Sequence, residues 1–406
     1  MSLATQARPD VPVRRARVAV AVLFFTNGAL FANLLPRYPQ IKEELGIGNA
    51  AYGLAVAAFP TGAIVAGLAA GVVIRRFGSA RAAVAGTLLT GVGILVAGMA
   101  GSVAVFAGAL FVAGAMDAIT DVAQNAHGLR VQRRYGRSVI NSFHAVWSIG
   151  AVTGGAMAAG ALSLDLPRGI HLGISALVFV AAAFVALRFC LPGPDTEPDT
   201  EPDGEPGVDA HDAPRTAGPA RSPRILYVMA ALVLIAVAGT LVEDAGNSWA
   251  AVYLSDSLRA TAALAASGYI ALVGAQFVGR LLGDRLTDRF GQRAVARTGG
   301  LIAAVGMGVA LAVPTVPGTV LGFAAAGFGV ATLVPAAMHE ADQLPGLKPG
   351  TGLTLVSWLM RLGFLASPPL VGLVADATSL RMGLLVVPLA GVLVVLLAGA
   401  LRTRQT

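Results

Sequence analysis

The chain contains twelve apolar stretches, in two groups of six that flank an acidic, proline-rich segment. An apolar helix needs roughly 20 residues to cross the hydrocarbon core of a bilayer, and each stretch is about long enough. Hydrophobic residues make up 56% of the 406 residues and charged residues only 13%, so most of the surface is unsuited to water. The pattern predicts an all-α membrane protein with two six-helix bundles.

We number these stretches span 1 to span 12. The first six are expected at about residues 18–36, 50–73, 82–99, 103–127, 138–162 and 170–190. The other six are expected at about residues 224–250, 260–283, 296–313, 317–338, 351–374 and 380–401. The predicted bundles therefore cover residues 1–190 and 224–406. Residues 191–223 are rich in Pro and acidic residues and too polar to bury a core, which predicts a solvated linker.

Basic residues predict the orientation, because Lys and Arg in short loops are retained on the cytoplasmic side. Alternate loops carry arginine clusters. These clusters are Arg75, Arg76 and Arg81; Arg130, Arg133, Arg134 and Arg137; and Arg285, Arg289, Arg293 and Arg297. The intervening loops hold fewer basic residues: Arg37, Lys42, Arg168, Arg259 and Arg381. We expect a multi-pass protein of the cell membrane with both termini and the linker in the cytoplasm.

Several other classes of function are excluded by the composition. The net charge of +7 is explained by the orientation rule, and no basic and aromatic stripe indicates nucleic-acid binding. The single cysteine and five scattered histidines have no metal-ligand spacing. Neither Lys42 nor Lys348 completes a phosphate-binding GxxxxGK[ST] loop. We therefore expect no enzyme activity, no metal and no cofactor, and a monomer in the lipid bilayer.

The two halves share a repeated loop. A shift of 213 residues places Arg76, Phe77 and Gly78 on Arg289, Phe290 and Gly291, as expected after gene duplication. The loops read GVVIRRFGSAR and GDRLTDRFGQR, and in this the chain resembles the major facilitator superfamily. The resemblance implies that the loops control gating. The candidate gating residues are Gly71, Arg76, Gly78, Arg81, Asp288, Arg289, Gly291 and Arg293.

One position departs from the family pattern. Arg75 stands where the superfamily usually has an aspartate, which is thought to meet the positive end of a helix, whereas Asp288 keeps the acid in the second loop. We expect Asp288 to form the main cytoplasmic latch near Gly350 and Thr351.

Ionisable residues inside spans are functional candidates, since each is costly at the bilayer centre. On span 4, Asp117, Asp121 and Asn125 recur every fourth residue and so form one polar stripe. A carboxylate in a partly dry cavity can take up a proton near neutral pH. Asp121, Asp117 and Glu243 are the candidate proton-coupling residues. A structural pairing with a loop arginine, or an interfacial position, is the alternative for these acids.

The stretch DVAQNAHGLRVQRRYGRSVINSFHAVWSIGAVTGG resembles fucose-permease-like members of the superfamily. In those permeases an acid four residues before an asparagine on span 4 is linked to proton symport, and Asp121 and Asn125 match this pair. The acid that they also carry on span 1 is absent, because FTNGALFANLLPRYP offers only Asn27 and Asn33.

The remaining candidates would bind solute. The full set is Asn27, Asn33, Asn125, His144, Trp147, Asn247, Trp249, Gln276, Trp358 and Arg361. Antiparallel packing of spans 4 and 5 should bring His144 to the depth of Asp121. Arg361 lies about ten residues into span 11 and should seek a carboxylate, with Glu243 or Asp117 as candidates, or an anionic ligand. Packing roles are the alternative for His144 and for the tryptophans.

These side chains favour proton-coupled symport of a small polar or sugar-like solute by alternating access. Two alternatives stay open. Efflux by proton antiport is weakened because efflux members commonly carry an arginine in span 4 and a glycine–proline pair in span 5, where this chain has Asp117, Asp121 and Gly154-Gly155. A solute receptor that does not transport is the other alternative.

Overall fold

The computed structural model describes residues 10–137, 139–193, 223–344, 347 and 351–401. Within these residues the fold is all-helical, and twelve helical segments are long and apolar enough to cross a membrane. This confirms the predicted spans and their two groups of six. Most of the expected linker, residues 191–223, lies outside the described part.

The helices of the first half give spans 1 to 6. They are Val11–Ala32, Leu35–Arg37 and Tyr38–Glu44 (span 1); Asn49–Val56 and Ala58–Gly67 (span 2); Ser79–Gly98 (span 3); Val103–Tyr135 (span 4); Ile140–Ser163 (span 5); and Arg168–Leu187 (span 6). A short helix, Ala70–Phe77, connects spans 2 and 3.

The helices of the second half give spans 7 to 12. They are Pro223–Val252 and Tyr253–Ser257 (span 7); Ala262–Phe290 (span 8); Gln292–Ala312 (span 9); Val316–Val330 and Leu333–Asp342 (span 10); Thr351–Leu359 and Arg361–Ala377 (span 11); and Leu380–Gly383, Val386–Leu397 and Ala398–Ala400 (span 12).

Span 4 is a single helix of 33 residues, longer than the apolar stretch that predicted it. The Ser102 hydroxyl accepts a hydrogen bond from the Val105 amide at its start, and Gly136 ends it in the left-handed conformation, with φ +71°. These are common helix-terminating signals. Because the helix is unbroken between them, residues spaced by four along it share one face.

Span 1 turns near its end. Pro36 lacks an amide hydrogen, so the helix Val11–Ala32 cannot continue through it, and a short turn leads into Tyr38–Glu44. The Asn33 side chain donates to the Ala29 carbonyl at 2.8 Å and so satisfies an acceptor where the helix ends.

The repeated loops have the same backbone in both halves. Gly78 and Gly291 have φ of +83° and +82° and ψ of 148° and 154°, a conformation that is essentially restricted to glycine. Their amides donate to Ile74 and Thr287 at 2.8 Å in each case. The backbone therefore repeats where the sequence repeats.

The halves meet mainly through two pairs of spans. Span 5 packs on span 8, and the Asn49–Val56 helix of span 2 packs on the Arg361–Ala377 helix of span 11. We call the end that carries Arg75, Arg133 and Arg289 the basic end, and the other end the opposite end. The span 2 and span 11 segments that meet lie toward the opposite end.

Candidate functional site

Span 4 lines the middle of the first half with a stripe of polar side chains. Asp117 and Asp121 lie one turn apart, and Asn125 follows after one more turn. The Asn125 amide donates to the Asp121 carboxylate at 3.0 Å and to the Asp121 carbonyl at 2.8 Å. Gln124 donates to the same carboxylate oxygen at 3.4 Å. Asp121, Gln124 and Asn125 therefore form one hydrogen-bonded group.

Asn27 joins this stripe to spans 1 and 5. Its Nδ2 donates to Asp117 Oδ1 at 2.7 Å, and its Oδ1 accepts from Trp147 Nε1 at 2.8 Å. Because an indole nitrogen can only donate, Trp147 determines which end of the Asn27 amide faces Asp117. This contact positions Asp117 with a donor rather than with a cation.

His144 extends the network from span 5. Its Nε2 lies 3.2 Å from Asn125 Oδ1, so Asn125 bridges the histidine and Asp121. The charges of His144 and Asp121 act on each other. The packing of spans 4 and 5 thus brings His144 next to Asn125, one turn from Asp121.

Spans 7 and 8 of the second half contribute a second polar group to the site. Gln276 Nε2 donates to Glu243 Oε2 at 2.7 Å, and Arg280 Nη2 lies 3.7 Å from the same oxygen. Gln276 is buried, whereas about 40% of the Arg280 side chain is exposed. Arg280 is an ionisable residue of span 8 that the sequence analysis assigned to neither solute binding nor proton coupling, although its position one turn after Gln276 on the same helix is a usable signal.

Arg361 adds a second guanidinium from span 11. The Arg361 side chain is half-buried, and its positive charge interacts electrostatically with Asp121 across the interface of the halves. Among the described residues it forms no hydrogen bond and no ion pair. The expected pairing with Glu243 or Asp117 is not found, because Gln276 and Arg280 hold Glu243 and Asn27 holds Asp117.

These groups line a space between the halves that opens toward the basic end. Asp121 and His144 are exposed, although Asp121 lies in the middle of span 4 and His144 about one turn into span 5. The positive charge of Arg280, in the second half, interacts electrostatically with His144 in the first half. The charge of Arg361 interacts with Asp121 across the same interface. Charged side chains of both halves therefore face one accessible cavity. No group of three His, Cys, Asp or Glu that could hold a metal ion lies among the described residues.

The opposite end is closed by contacts across the halves. Asp376, at the end of span 11, accepts from the Asn49 amide at 2.9 Å, from Asn49 Nδ2 at 2.9 Å and from the Ala50 amide at 2.8 Å. It thereby caps the first turn of span 2, where the helix leaves amides without partners. Lys42 and Asp256 form an ion pair at 2.9 Å.

An aromatic contact lies beneath these polar groups. The Tyr52 hydroxyl donates to the Ser248 carbonyl at 2.7 Å, and its ring packs edge-on against Trp249 at 4.9 Å. The hydrogen bonds that Lys42, Asn49, Ala50 and Tyr52 make with the second half all lie at this end. They hold the two halves together there.

Two predicted solute-binding residues lie away from the cavity. Asn33 is fully buried between spans 1 and 6, where its Oδ1 accepts from Ser175 Oγ at 3.1 Å and lies 2.8 Å from His171 Nε2. Trp249 is fully buried against Tyr52 at the closed end. Neither side chain reaches the cavity, because helix packing and the closed end enclose them.

Asn247 and Trp358 have different surroundings. Asn247 is half-buried, and its Oδ1 is buried with no hydrogen-bond partner among the described residues. Trp358 lies on the part of span 11 nearest the basic end and is 54% exposed.

The candidate gating residues lie at the basic end. Arg76, Arg81 and Arg289 are exposed, and Gly71 lies on the connecting helix Ala70–Phe77. Arg293 donates to the Leu401 and Gly399 carbonyls at 2.9 and 2.8 Å, which ties span 9 to the end of span 12.

The latch at Asp288 stays a prediction. Asp288 is exposed, and among the described residues it makes no hydrogen bond or ion pair. Gly350, one of its two expected neighbours, lies outside the described residues.

Comparison with known proteins identifies relatives over nearly the whole chain. The family model described as Major Facilitator Superfamily matches residues 20–285 and 244–406. The uncharacterized transporter y4wD of Sinorhizobium fredii is 28% identical over 385 residues, covering 94% of this chain and 97% of that protein. Membrane protein MosC of Rhizobium meliloti is 26% identical over 377 residues, covering 93% of this chain and 88% of that protein.

Solved transporters have the same fold. The nucleoside transporter NupG matches with a TM-score of 0.74 at 10% identity, covering 95% of this chain and 98% of NupG. A D-xylose–proton symporter matches with a TM-score of 0.71 at 14% identity, covering 95% and 96%. These likenesses show the two-bundle fold. The fucose-permease-like branch is not singled out by these matches.

Proposed function

Since the chain belongs to the major facilitator superfamily of membrane transporters, we propose that it carries a small polar, sugar-like solute together with a proton. Transport would be symport, by alternating access at the site between the halves. The D-xylose–proton symporter of the same fold, named above, supports this choice of solute and ion.

The observation that carries the proposal is the position of Asp121. Its carboxylate faces the cavity and is held by Asn125, which also contacts His144. Asp117 lies one turn away and is held by Asn27. A carboxylate at the cavity surface can exchange a proton with water, and Asn125 and His144 offer hydrogen-bonding groups to a hydroxylated solute next to it. Proton and solute would therefore bind as neighbours.

The cycle follows from the two halves. If the basic end is cytoplasmic, as the arginine clusters predict, the closed end faces outward and the cavity faces the cytoplasm. Rocking of one half against the other would break the Asp376 and Lys42 contacts and close the basic end around the same site. We place the protein in the cell membrane, as a monomer with cytoplasmic termini, with bundles at residues 1–190 and 224–406 and a linker at 191–223.

Reconstitution tests the proposal. Solutes that raise the thermal unfolding midpoint of the purified protein would be chosen from a panel of sugars, sugar acids, amino sugars and nucleosides. Their uptake into proteoliposomes would be measured with and without an imposed proton gradient. We expect uptake that depends on the gradient in wild type, and loss of that dependence in Asp121→Asn. Glu44→Gln is a matched control, since Glu44 pairs with Arg168 within the first half.

Other results would favour the alternative functions. Uptake that ignores the proton gradient in wild type contradicts symport. Solute export that is driven by an inward proton gradient would indicate antiport. A solute that binds and stabilises the protein but never crosses the membrane would indicate a receptor.

A further inference from the structure

The two arginines of the cavity have donors that the protein does not use. Among the described residues, no atom accepts a hydrogen bond from Arg361. Arg280 approaches only Glu243 Oε2, at 3.7 Å, and that oxygen already accepts from Gln276 at 2.7 Å. A charge-assisted N–H···O contact normally measures about 2.7–2.9 Å. Both guanidinium groups therefore present free N–H donors to the cavity.

Arginines elsewhere in the helix bundle are satisfied differently. Arg37 donates to Gln40 Oε1 and to the Leu166 carbonyl, each at 3.0 Å. Arg168 holds both Glu44 oxygens, at 3.0 and 2.6 Å. The opposite end thus supplies two acceptors to each of these two arginines, whereas the cavity supplies Arg280 only with the Glu243 oxygen at 3.7 Å and Arg361 with no acceptor among the described residues.

The unused donors both belong to the second half. Arg280 and Arg361 come from spans 8 and 11 of the second half. The facing wall on spans 4 and 5 carries Asp121, Asn125 and His144, which already bond to one another. A guanidinium group inside a membrane protein is costly without an anionic partner. Its fork of donors matches the paired oxygens of a carboxylate or phosphate.

We propose that the transported solute carries an anionic oxygen group, a carboxylate or a phosphate, which docks on Arg280 and Arg361. The hydroxyl groups of the solute face Asn125 and His144 on the opposite wall. This inference rests on the proposed function and narrows its solute to an acidic, hydroxylated molecule. The proton at Asp121 is then carried beside an anion, which lowers the net charge moved in each cycle.

Binding by matched probes tests the inference on the full-length purified protein. The thermal unfolding midpoint is measured at increasing concentrations of each probe and at equal ionic strength. The acidic probes are D-glucuronate, D-gluconate and D-glucose 6-phosphate, and the probes without an anionic group are D-glucose and D-glucosamine. We expect at least one acid to stabilise the protein at concentrations where glucose and glucosamine do not. The two sugar acids and the sugar phosphate separate a carboxylate from a phosphate as the docking group.

Substitutions then locate the anion. Arg361→Gln and Arg280→Gln should each weaken binding of that acid by about 10-fold or more, because each removes charge-assisted hydrogen bonds. Arg361→Lys, which keeps the charge and loses the fork, should retain intermediate affinity. Arg15→Gln, an exposed change at the basic end, should bind as wild type. Unfolding midpoints without probe report whether each variant is folded.

Three results would overturn the inference. The first is that glucose or glucosamine stabilises the protein and none of the acids does. The second is that no member of the panel stabilises it. The third is that wild type and both glutamine variants bind the acid equally well. Failure of this inference can be distinguished from failure of the proposed function. If a neutral sugar binds and its uptake is driven by a proton gradient, proton symport is supported although the anion site is not. If an acid binds through both arginines but is never transported, the anion site is supported and the proposed transport is not.

Discussion

Asp376→Asn should shift the protein toward a state that is open at the opposite end. Asp376 receives three hydrogen bonds from Asn49 and Ala50 of the other half, two of them from amides in the first turn of a helix. The substitution removes the negative charge and one of the two acceptor oxygens. The bonds exist only while this end is closed, so their loss destabilises the closed state alone.

The size of the shift follows from these contacts. Loss of one hydrogen bond costs about 0.5–1.5 kcal/mol, and a charge at a helix N-terminus contributes about 0.3–1 kcal/mol. Because Asp376 is exposed, we take about 1–2 kcal/mol for both effects together. Since every 1.4 kcal/mol is a factor of about ten, the ratio of open to closed molecules should rise about 5- to 30-fold.

Distances between spin labels would measure this ratio. Labels at Gly101→Cys and Val313→Cys report the separation of the halves at the opposite end, in a Cys190→Ser background. Both positions are open: Gly101 has no neighbour within 4 Å of an added Cβ, and Val313 is 64% exposed. The longer distance should gain population in Asp376→Asn.

Two control substitutions remove the same charge at the same end. Glu44→Gln breaks a pair within the first half and should leave the distances unchanged. Asp256→Asn breaks the exposed pair with Lys42 across the halves, which is worth about 0–1 kcal/mol, so its shift should be smaller. Unchanged distances in Asp376→Asn, or an equal shift in Glu44→Gln, would refute the reasoning.

Three further predictions concern single positions. Gly53→Ala should raise the same open population, because an added Cβ would clash with the Pro368 carbonyl oxygen of span 11. Gly67→Ala, with no neighbour within 4 Å of the added Cβ, should not, and equal behaviour of the two variants would argue against the contact. Gly291→Ala should lower the thermal unfolding midpoint, since its φ of +82° costs a residue with a Cβ about 1–3 kcal/mol; an unchanged midpoint would show that the loop relaxes. Burial raises the pKa of the Cys190 thiol to about 11, so maleimide labelling should be slow at pH 7 and rise about tenfold per pH unit below that pKa; labelling at the rate of a free thiol would contradict this.

The sequence predicted the spans well and their ends less well. Hydropathy finds only the apolar part of a helix, so span 4 was expected to end near residue 127, whereas the helix continues to Tyr135. The extra turns carry Arg130, Arg133 and Arg134, which a helix can accommodate once it leaves the hydrocarbon region. Helix termination depends on Gly136 rather than on apolarity.

The candidate site was predictable where it depended on helical spacing. Asp121 and Asn125 share a face of one helix, and the antiparallel arrangement of spans 4 and 5 brings in His144. Contacts between distant spans were not predictable. No pattern in the sequence indicates that Asp376 caps Asn49, or that Glu243 is held by Gln276 and Arg280 of span 8 rather than by Arg361 of span 11.

The most direct test of proton coupling at Asp121 compares two kinds of transport by the same proteoliposomes. Uptake driven by a proton gradient requires the coupling carboxylate, whereas exchange of labelled for unlabelled solute at equal pH requires only that the loaded site alternates between the two sides. For the panel solute that stabilises the protein most, we predict that Asp121→Asn loses gradient-driven uptake and keeps exchange. Gradient-driven uptake at the wild-type rate in Asp121→Asn would contradict the assignment.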